Sequence, residues 1–472
     1  MGHRDDTPTF ESNEILPADR APADQGQAGT QAIRYSMSPG LPDFLGSHRI
    51  AIAGSSYQSG KFYLLGQNAD GGLLVHERLF HKAMGLCIAD RDTILLATMF
   101  QILKFKNVLA PGQRINDLHD ACYVPRQIFT TGELDAHDVG VLSDGRIVFV
   151  NTLYNCLAST SERHSFTPIW KPSFISKIVK EDRCHLNGLA IEDGVPRYVT
   201  AISRSDTVDG WRDRRVDGGI VVDVHSNEIV IGGLSMPHSP RLYRGRLWVL
   251  NSGTGEIGWI ERSAAGAKFH VLAFCPGFVR GLAFFGDYAF VGLSKPRYER
   301  FEGLALDRRL AETDSEPWCG IQLINLDTGT CENWFRIDGA VTEFYDLGVV
   351  PDVVRPMAIG FATNEILDFI THDPIDPAQR AYPTAEATAW DWVLAPRIKL
   401  RASRERALAE DGAQFCPSCQ CVARFSSCVV GQITGRFSCV SALSRGAHRD
   451  RHECWVRDAM AAVSSGAFAQ DD

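Results

Sequence analysis

Histidine, asparagine, arginine and acidic residues recur at points along the chain where one short pattern starts again. The residues of this kind are His137 with Asp138, His185 with Asn187, His238, Arg280 and Glu343. Imidazole nitrogens bind zinc, iron, manganese or nickel, and carboxylate and amide oxygens extend the range to harder divalent ions. If the fold brings these residues together, they can hold a divalent metal ion beside a small polar substrate.

The repeated pattern is a small or polar pair, an apolar stretch, a tight turn and a second apolar stretch that ends in Ala, Asn, Ser or Thr. It starts at Met84, His137, Asn187, His238, Arg280 and, more weakly, at Glu343. Turns such as "SDG" and "EDG" have the chemistry of β-hairpins. The spacing of about 50 residues is the length of one four-stranded blade of a β-propeller.

Six pattern starts predict an all-β fold, a six-bladed β-propeller of four-stranded antiparallel blades. The first and last strands of such rings commonly share a blade, so we expect the strands at 48–66 to complete the blade that starts near Glu343. Helical periodicity is absent between 45 and 365, and a pair of β-sandwiches, the other all-β possibility, would give no reason for the repeat. The charged stretch 293–320 is expected to be an insertion in blade five that forms a lid or a loop facing a partner.

Composition divides the chain into three parts. Residues 1–44 are expected to be a disordered leader, residues 45–365 the propeller domain and residues 366–472 an irregular, Cys-rich extension with a short helix within 376–411. The extension has one C-x-x-C motif, "CPSC", without a clean second pair. A poorly ordered tail and a zinc-binding tail are both compatible with it.

Charge and hydropathy limit the location and the partners of the protein. The 472 residues have a formal net charge of −9, which argues against a nucleic-acid partner. No apolar run is long enough to span a membrane, the first residues lack a secretory signal, and the cysteines before the tail are scattered singly like buried thiols. We therefore expect a cytoplasmic protein whose partner is a small polar molecule or another protein, in an oligomeric state that the sequence leaves open.

The inner strand of each propeller blade contributes one or two side chains to the entrance of a central channel. We therefore predict one divalent metal ion, of open identity, at this entrance. Its predicted ligands are His137, His185, Asn187, His238 and Glu343. Asp138 is expected to orient an imidazole or to act as a base, and Arg280 to bind an anionic group of the substrate.

Two functions are compatible with this arrangement. The first is a metal-dependent hydrolase or isomerase that acts on a small polar substrate at the channel entrance. The alternative is a non-catalytic propeller that serves as a scaffold or binds a ligand or partner. Polar residues at the start of an inner strand also serve as structural links between blades, so no single residue decides between the two.

Several longer stretches resemble a bacterial family of conserved proteins that is known only as a domain of unknown function. They are "EDRCHLNGLA", "PRYVTA", "LSMPHSPR", "PGFVRGLAFFGDYAFVGLSK" and "INLDTGT". The resemblance covers about residues 45–365 and implies a propeller-like domain without assigned catalytic residues. The "NGLA" pattern is more distantly similar to gluconolactonase and strictosidine-synthase-like propellers, which hold a metal through Asn and carboxylates. This chain has His where those enzymes favour acids.

Overall fold

The structure is a computed structural model that describes residues 32–296 and 303–373, and the backbone of four short strands between residues 414 and 441. Residues 1–376 and 377–472 form two separate compact units. The first unit is a six-bladed β-propeller, as the repeat predicts. None of the helices in the described ranges is long and apolar enough to cross a bilayer.

The elements follow one another along the chain in blade order, apart from the first few. The chain opens with β1 (Arg34–Met37), α1 (Leu41–His48), β2 (Ile50–Ser56), β3 (Lys61–Gln67) and β4 (Leu73–Leu79). Blade one contains β5 (Leu86–Asp90), β6 (Thr93–Ala97), β7 (Gln101–Asn107) and β8 (Ala121–Thr130). Blade two contains β9 (Ala136–Val141), β10 (Ile147–Asn151), β11 (Cys156–Ser159) and β12 (Thr167–Trp170). Blade three contains β13 (Leu186–Glu192), β14 (Val195–Ala201), β15 (Gly219–Asp223) and β16 (Ile229–Leu234).

The remaining elements build blades four to six. Blade four contains β17 (Pro237–Tyr243), β18 (Arg246–Asn251), β19 (Glu256–Ser263) and β20 (Gly266–Phe274). Blade five contains β21 (Phe278–Phe285), β22 (Tyr288–Ser294), β23 (Cys319–Asn325) and β24 (Cys331–Asp338), with α2 (Ala305–Glu312) between its second and third strands. After β25 (Asp346–Pro351) come β26 (Pro356–Ala358) and α3 (Glu365–Asp368).

Blade six joins the two ends of the propeller. Its strand order is β25-β2-β3-β4, with β25 as the inner strand and antiparallel to β2. This confirms that the early strands complete the blade that starts near Glu343. The inner strands β5, β9, β13, β17, β21 and β25 contact one another in sequence, and β25 contacts β5, which closes the ring.

The strands are apolar on both faces because each blade packs between two others. All five residues of β10, "IVFVN", are buried, and so are all five of β15, "GIVVD". Tight turns connect the strands, as between β17 and β18, where Arg244 and Gly245 have φ values of 51° and 70°. Two left-handed residues in succession are typical of the turn that matches the twist of a hairpin.

Two blades carry a fifth strand at their outer edge. β1 pairs with β24 in an antiparallel manner on blade five, and β26 pairs with β8 in a parallel manner on blade one. Both cover sheet edges that would otherwise be open to pairing with another chain. β1 and half of α1 fall within residues 1–44, the predicted leader, and residues 1–31 lie outside the described part.

The insertion in blade five contains a helix that the sequence analysis did not identify. The eight residues of α2 are too few for a clear helical period, although Leu306 and Leu310 lie on its buried face. The second unit of the chain has two hairpins, Gln414–Phe415 with Val422–Ala423 and Cys428–Ile433 with Arg436–Ser441. The short helix predicted within 376–411 lies outside the described residues.

Candidate functional site

Each inner strand places one residue at the same height around the axis of the propeller. Hydrogen bonds between neighbouring blades mark this height. In each of them, a hydroxyl at the end of one blade's second strand donates to a carbonyl at the start of the next blade's inner strand, or just before it. The bonds run from Ser55 to Met84 (2.5 Å), Thr152 to Leu186 (2.6 Å), Ser252 to Val279 (2.6 Å) and Ser294 to Phe344 (3.1 Å). We call the residues that follow these carbonyls, with the matching residues of blades two and four, the axial ring: Gly85, His137, Asn187, His238, Arg280 and Tyr345.

Two imidazoles of the axial ring are held in the same way. Nδ1 of His137 lies 2.8 Å from the carbonyl oxygen of Asp135 and 2.8 Å from Oγ1 of Thr152. Nδ1 of His238 lies 2.8 Å from the carbonyl oxygen of Met236 and 2.9 Å from Oγ of Ser252. Because a carbonyl oxygen only accepts, Nδ1 of each ring carries the proton and donates. Each neutral ring therefore has its lone pair on Nε2.

Burial keeps both imidazoles neutral. It lowers the pKa of His137 to about 4, although the charge of Asp135 opposes the shift. Burial, followed by the positive charge of Arg280, holds the pKa of His238 well below its usual range. At neutral pH both rings are therefore acceptors at Nε2.

A second level of side chains lies above the axial ring. It includes Asp135, His185 and Met236, each two residues before an axial-ring residue. All three have left-handed backbones, with φ values of 55°, 50° and 47°. Such a backbone is costly for residues with a side chain and is often found at functional sites. The carbonyl oxygens of Asp135 and Met236 accept the hydrogen bonds from Nδ1 of the imidazoles two residues later.

An open pocket of about 520 Å³ lies at this end of the axis. Its walls include His137, His185, Trp211, Met236, Arg280 and Tyr345. Side chains from blades two to six contribute to it, and Lys82 and Met84, just before the first strand of blade one, complete the wall. A concave site with a few convergent polar groups is the usual form of a small-molecule site.

His185 forms one wall of the pocket together with Trp211. Its Nδ1 lies 2.8 Å from Oδ2 of Asp182, and the indole Nε1 of Trp211 donates to the same oxygen at 3.0 Å. The two rings are 4.2 Å apart and inclined by 30°. At this separation the two rings stack on each other, and the carboxylate of Asp182 bonds to both of them.

His137 lies between this wall and the opposite side of the pocket. Its ring meets that of His185 edge to face at 4.8 Å and that of Tyr345 at 5.7 Å. The carboxylate of Asp135 beside it also pairs with Nζ of Lys82 at 2.9 Å. Burial opposes ionisation of Asp135, but His137 and Lys82 together lower its pKa to about 2.

Arg280 is held by aromatic rings. Its Cζ lies 5.0 Å from the centroid of the Phe278 ring and 5.1 Å from that of Tyr345. The residue is 7% exposed, and its Nε is buried without a hydrogen-bond partner in the described part of the chain. A guanidinium stacked in this way keeps its charge and its planar set of donors for a ligand.

The predicted metal ligands are distributed over several positions. His137 and His185 line the pocket, and His238 lies in the axial ring against Phe278 at 5.7 Å. Oδ1 of Asn187 accepts a bond from Thr200 at 2.5 Å. Glu343 lies outside the pocket wall, where its Oε2 accepts from Ser56 at 3.3 Å and from the backbone of Gln58 at 3.2 Å. Within 32–296 and 303–373, no group of three or more His, Cys, Asp or Glu side chains is placed to hold a metal ion.

Asp138 faces a neighbouring blade and does not line the pocket. It is one residue beyond the axial ring, and successive residues of a strand point to opposite sides. Its Oδ2 accepts from the backbone N of Leu189 at 2.9 Å and from Arg241 at 2.8 Å. Asp346 occupies the matching position of blade six and accepts from the N of Leu86 at 2.8 Å. These carboxylates connect inner strands.

Sequence reasoning did not identify Asp135, Asp182, Trp211, Met236 or Tyr345 as part of the site. Tyr345 could have been found by aligning "EFYDL" with "FVRGL", which places Tyr345 opposite Arg280. Trp211 has no such signal, because it lies in the irregular connection between β14 and β15.

Known structures with this architecture are similar to the chain only at low identity. The nidogen/laminin complex is 11% identical with a TM-score of 0.39, over 64% of this chain and 99% of that one. Virginiamycin B lyase from Staphylococcus aureus is 10% identical with a TM-score of 0.31, over 65% and 99%. A gluconolactonase-like protein is 10% identical with a TM-score of 0.34, over 56% and 90%.

No curated protein matches the chain. The family described as "Domain of unknown function (DUF4915)" matches residues 39–359, a range that holds all four strands of each blade. The chain therefore belongs to the DUF4915 family.

Proposed function

We propose that this DUF4915 protein is an enzyme, a hydrolase or an isomerase, that binds a small anionic molecule in the axial pocket. The observation that carries the proposal is Arg280, a buried guanidinium on the pocket wall that is stacked between Phe278 and Tyr345. A planar guanidinium binds carboxylate and phosphate groups through paired N–H donors. The aromatic rings hold it in place without neutralising it.

His137 is the candidate proton acceptor. It lines the same pocket as Arg280, and the bond from Nδ1 to the carbonyl of Asp135 keeps the lone pair on Nε2. A pKa of about 4 makes free His137 a weak base. A bound anion adds negative charge beside the ring, and an opposite charge nearby raises the pKa of an imidazole. Substrate binding would therefore strengthen the base at the moment it is needed.

The wall formed by His185 and Trp211 would position the rest of the substrate. Its stacked aromatic rings suit an apolar part of the molecule, while Lys82 and Asp135 offer charges in the same pocket. The pocket wall has two imidazoles, His137 and His185, and within 32–296 and 303–373 they and the carboxylates beside them do not form a group of three that could hold a metal ion. We therefore assign no step of the reaction to a metal ion.

Ligand binding by the full-length protein tests the first half of the proposal. Thermal stabilisation is measured with small carboxylates and phosphates and with amines and alcohols of equal size. We expect stabilisation by anions only, and its loss in Arg280→Gln, because the variant keeps hydrogen bonding but has no charge. Arg246→Gln is the matched control, since Arg246 stacks on Trp259 at 4.6 Å on the exposed side of blade four. Equal binding of anions by Arg280→Gln would overturn the proposal.

Turnover tests the second half. Each anion that binds is incubated with the protein and followed by proton NMR, in ²H₂O to detect exchange at carbon. We expect wild-type protein to convert at least one of them, and His137→Gln to bind it without conversion. Binding without conversion by the wild-type protein would instead support the non-catalytic alternative.

We also propose that the protein acts in the cytoplasm. Support comes from the seven cysteines within the described ranges, all of which are free thiols and only one of which, Cys331, is exposed. Fractionation of the source cells with an antibody to the chain tests this, and recovery from an extracytoplasmic fraction would contradict it.

A further inference from the structure

Three neighbouring blades each place a buried polar atom without a partner in the axial ring. The atoms are Nδ2 of Asn187, Nε2 of His238 and Nε of Arg280. The residues are 3%, 4% and 7% exposed. Buried polar groups are nearly always hydrogen-bonded, so three unpartnered atoms in adjacent positions need an explanation.

The blades that carry these atoms contact one another immediately beside them. The residue after each is Gly188, Ser239 or Gly281. The N–H of Gly281 donates to Oγ of Ser239 at 3.2 Å, and a Cβ on Gly188 would lie 3.0 Å from the N of Ser239. The inner strands of blades three, four and five therefore pack edge to edge at this height.

The side chains of Arg280 and His238 are also close together. Arg280 and His238 both contact the ring of Phe278, at 5.0 Å and 5.7 Å. The charge of Arg280 is also one of the causes that lower the pKa of His238. Arg280 lines the pocket as well, and His238 and Asn187 hold the equivalent axial-ring positions of the two preceding blades.

The hydrogen-bonding role of each atom follows from the partner on its other side. Oδ1 of Asn187 accepts from Thr200, which leaves Nδ2 as a donor. Nδ1 of His238 donates to the carbonyl of Met236, which leaves Nε2 as an acceptor. Nε of Arg280 can only donate. The set is therefore two donors and one acceptor.

We propose that Asn187, His238 and Arg280 form a subsite for a hydroxyl group next to a carboxylate, so that the pocket takes a hydroxy carboxylate. The carboxylate accepts from Arg280. The hydroxyl oxygen accepts from Asn187, and its proton is donated to Nε2 of His238. This inference rests on the proposed function, which places an anion at Arg280, and it adds a hydroxyl group next to that anion.

Such a subsite discriminates against the same acid without the hydroxyl. The deoxy analogue leaves the amide of Asn187 and the imidazole of His238 unpaired in a buried site, which costs more than the bond itself contributes. We expect a preference of at least about tenfold in Kd, the equivalent of ~1.4 kcal/mol.

Titration calorimetry on the full-length protein tests this with matched pairs of acids. The probes are D- and L-malate against succinate, and D- and L-lactate against propionate. At least one hydroxy acid should bind at least tenfold more tightly than its deoxy partner. In Asn187→Leu and in His238→Phe the preference should fall to about twofold or less, because each variant removes one polar partner.

Gln322→Leu is the matched control. Gln322 lies in β23, the third strand of blade five, and is a buried amide with an unpartnered Oε1. Loss of this amide should leave the preference for hydroxy acids over deoxy acids unchanged. Circular dichroism shows which variants fold, and the wild-type ratio is decisive even if His238→Phe does not fold.

The outcomes separate this inference from the proposed function. Equal binding of hydroxy and deoxy acids, both lost in Arg280→Gln, would overturn the hydroxyl subsite and leave the anion site standing. An unchanged preference in both Asn187→Leu and His238→Phe would also overturn it. Failure of every one of these acids to bind would overturn the hydroxyl subsite, whereas the proposed function is overturned only if no carboxylate or phosphate stabilises the protein. A crystal structure with only a water molecule between the three atoms in the presence of malate would count against the subsite.

Discussion

The imidazoles of His137 and His238, two blades apart, are anchored by equivalent pairs of atoms. In both, Nδ1 meets the carbonyl two residues upstream and the hydroxyl that follows the second strand of the same blade. The hydroxyl then donates to the inner strand of the next blade. The orientation of each imidazole is therefore tied to the contact between two blades.

Removal of the hydroxyl should affect stability and the histidine together. In Ser252→Ala, the carbonyl of Val279 loses its donor and Nδ1 of His238 loses one acceptor. We expect the free energy of unfolding to fall by about 1 to 3 kcal/mol, measured by urea denaturation. Ser47→Ala removes an exposed hydroxyl that also bonds to a carbonyl, that of Phe44 at 3.2 Å, and should change stability by less than about 0.5 kcal/mol. Equal losses of unfolding free energy in Ser252→Ala and Ser47→Ala would contradict the role of the Ser252 hydroxyl in the contact between blades.

The buried histidines should make the propeller sensitive to acid. Burial and the charge of Arg280 lower the pKa of His238 in the folded protein. Below about pH 6.5 the unfolded chain therefore binds a proton at this histidine that the folded chain does not bind. Stability is therefore lost as the pH falls below about 6.5. His238→Gln should show a shallower loss over this interval, measured by urea denaturation at a series of pH values. His164→Gln, at an exposed position, should follow the wild-type slope.

Asp346 should contribute a pH dependence of the opposite sign. Burial, and then the charge of Asp138, raises its pKa to about 7. Between about pH 4 and pH 7 the folded chain holds a proton that the unfolded chain releases, so this group lowers stability as the pH rises. Asp346→Asn should therefore gain stability relative to wild type across that interval. Asp117→Asn, in an exposed turn, is the control, and a flat difference between Asp346→Asn and wild type would rule out the raised pKa.

The helix of the blade-five insertion should support the pocket wall. Leu306 and Leu310 of α2 pack in one cluster with Trp211, Met236 and Phe278. Leu306→Ala should lower the free energy of unfolding by about 2 to 5 kcal/mol and weaken the binding of any anion found to stabilise the protein. Leu367→Ala, at a side chain that is 72% exposed, should change neither. Destabilisation without loss of binding would show that α2 supports the fold alone.

The predicted divalent metal ion can be tested directly. Purified protein, as isolated and after reconstitution with zinc, manganese, nickel or iron, is analysed for metal by mass spectrometry. One equivalent of bound metal in the wild-type protein that is absent from the double variant His137→Gln, His185→Gln would support the predicted metal site. Less than about a tenth of an equivalent in every sample would refute it, since a specific site fills to stoichiometry.

Much of the fold could be predicted because propeller blades repeat. "HDVGVLSDGRIVFVNT" and "HSPRLYRGRLWVLNS" each contain an inner strand, a turn and a second strand, and the structure has them as β9–β10 and β17–β18. The composition of blade six could be predicted because the first and last strands of such rings commonly share a blade. The short strands β1 and β26 lack this repetition and were not predicted.

The composition of the site was harder to predict because a shift of one or two residues changes what a side chain faces. Glu343 starts the weakest repeat but lies two residues before the axial-ring position, about 7 Å along an extended chain. Tyr345 occupies the ring in its place. Asp138 is one residue beyond the axial-ring position, so its carboxylate pairs with Arg241 of blade four. Asp182 and Trp211 come from irregular connections, whose course no strand pattern reveals.

The shared blade six also has a consequence for the order in which the molecule is made. On the ribosome, β2, β3 and β4 emerge before the five other blades, while their inner neighbour β25 emerges after them. Until residue 351 leaves the exit tunnel, β2 exposes an unpaired edge and β5 lacks a neighbour on one side. Synthesis that stops short of β25 would therefore yield an open arc with a free strand edge, a substrate for chaperones and proteases.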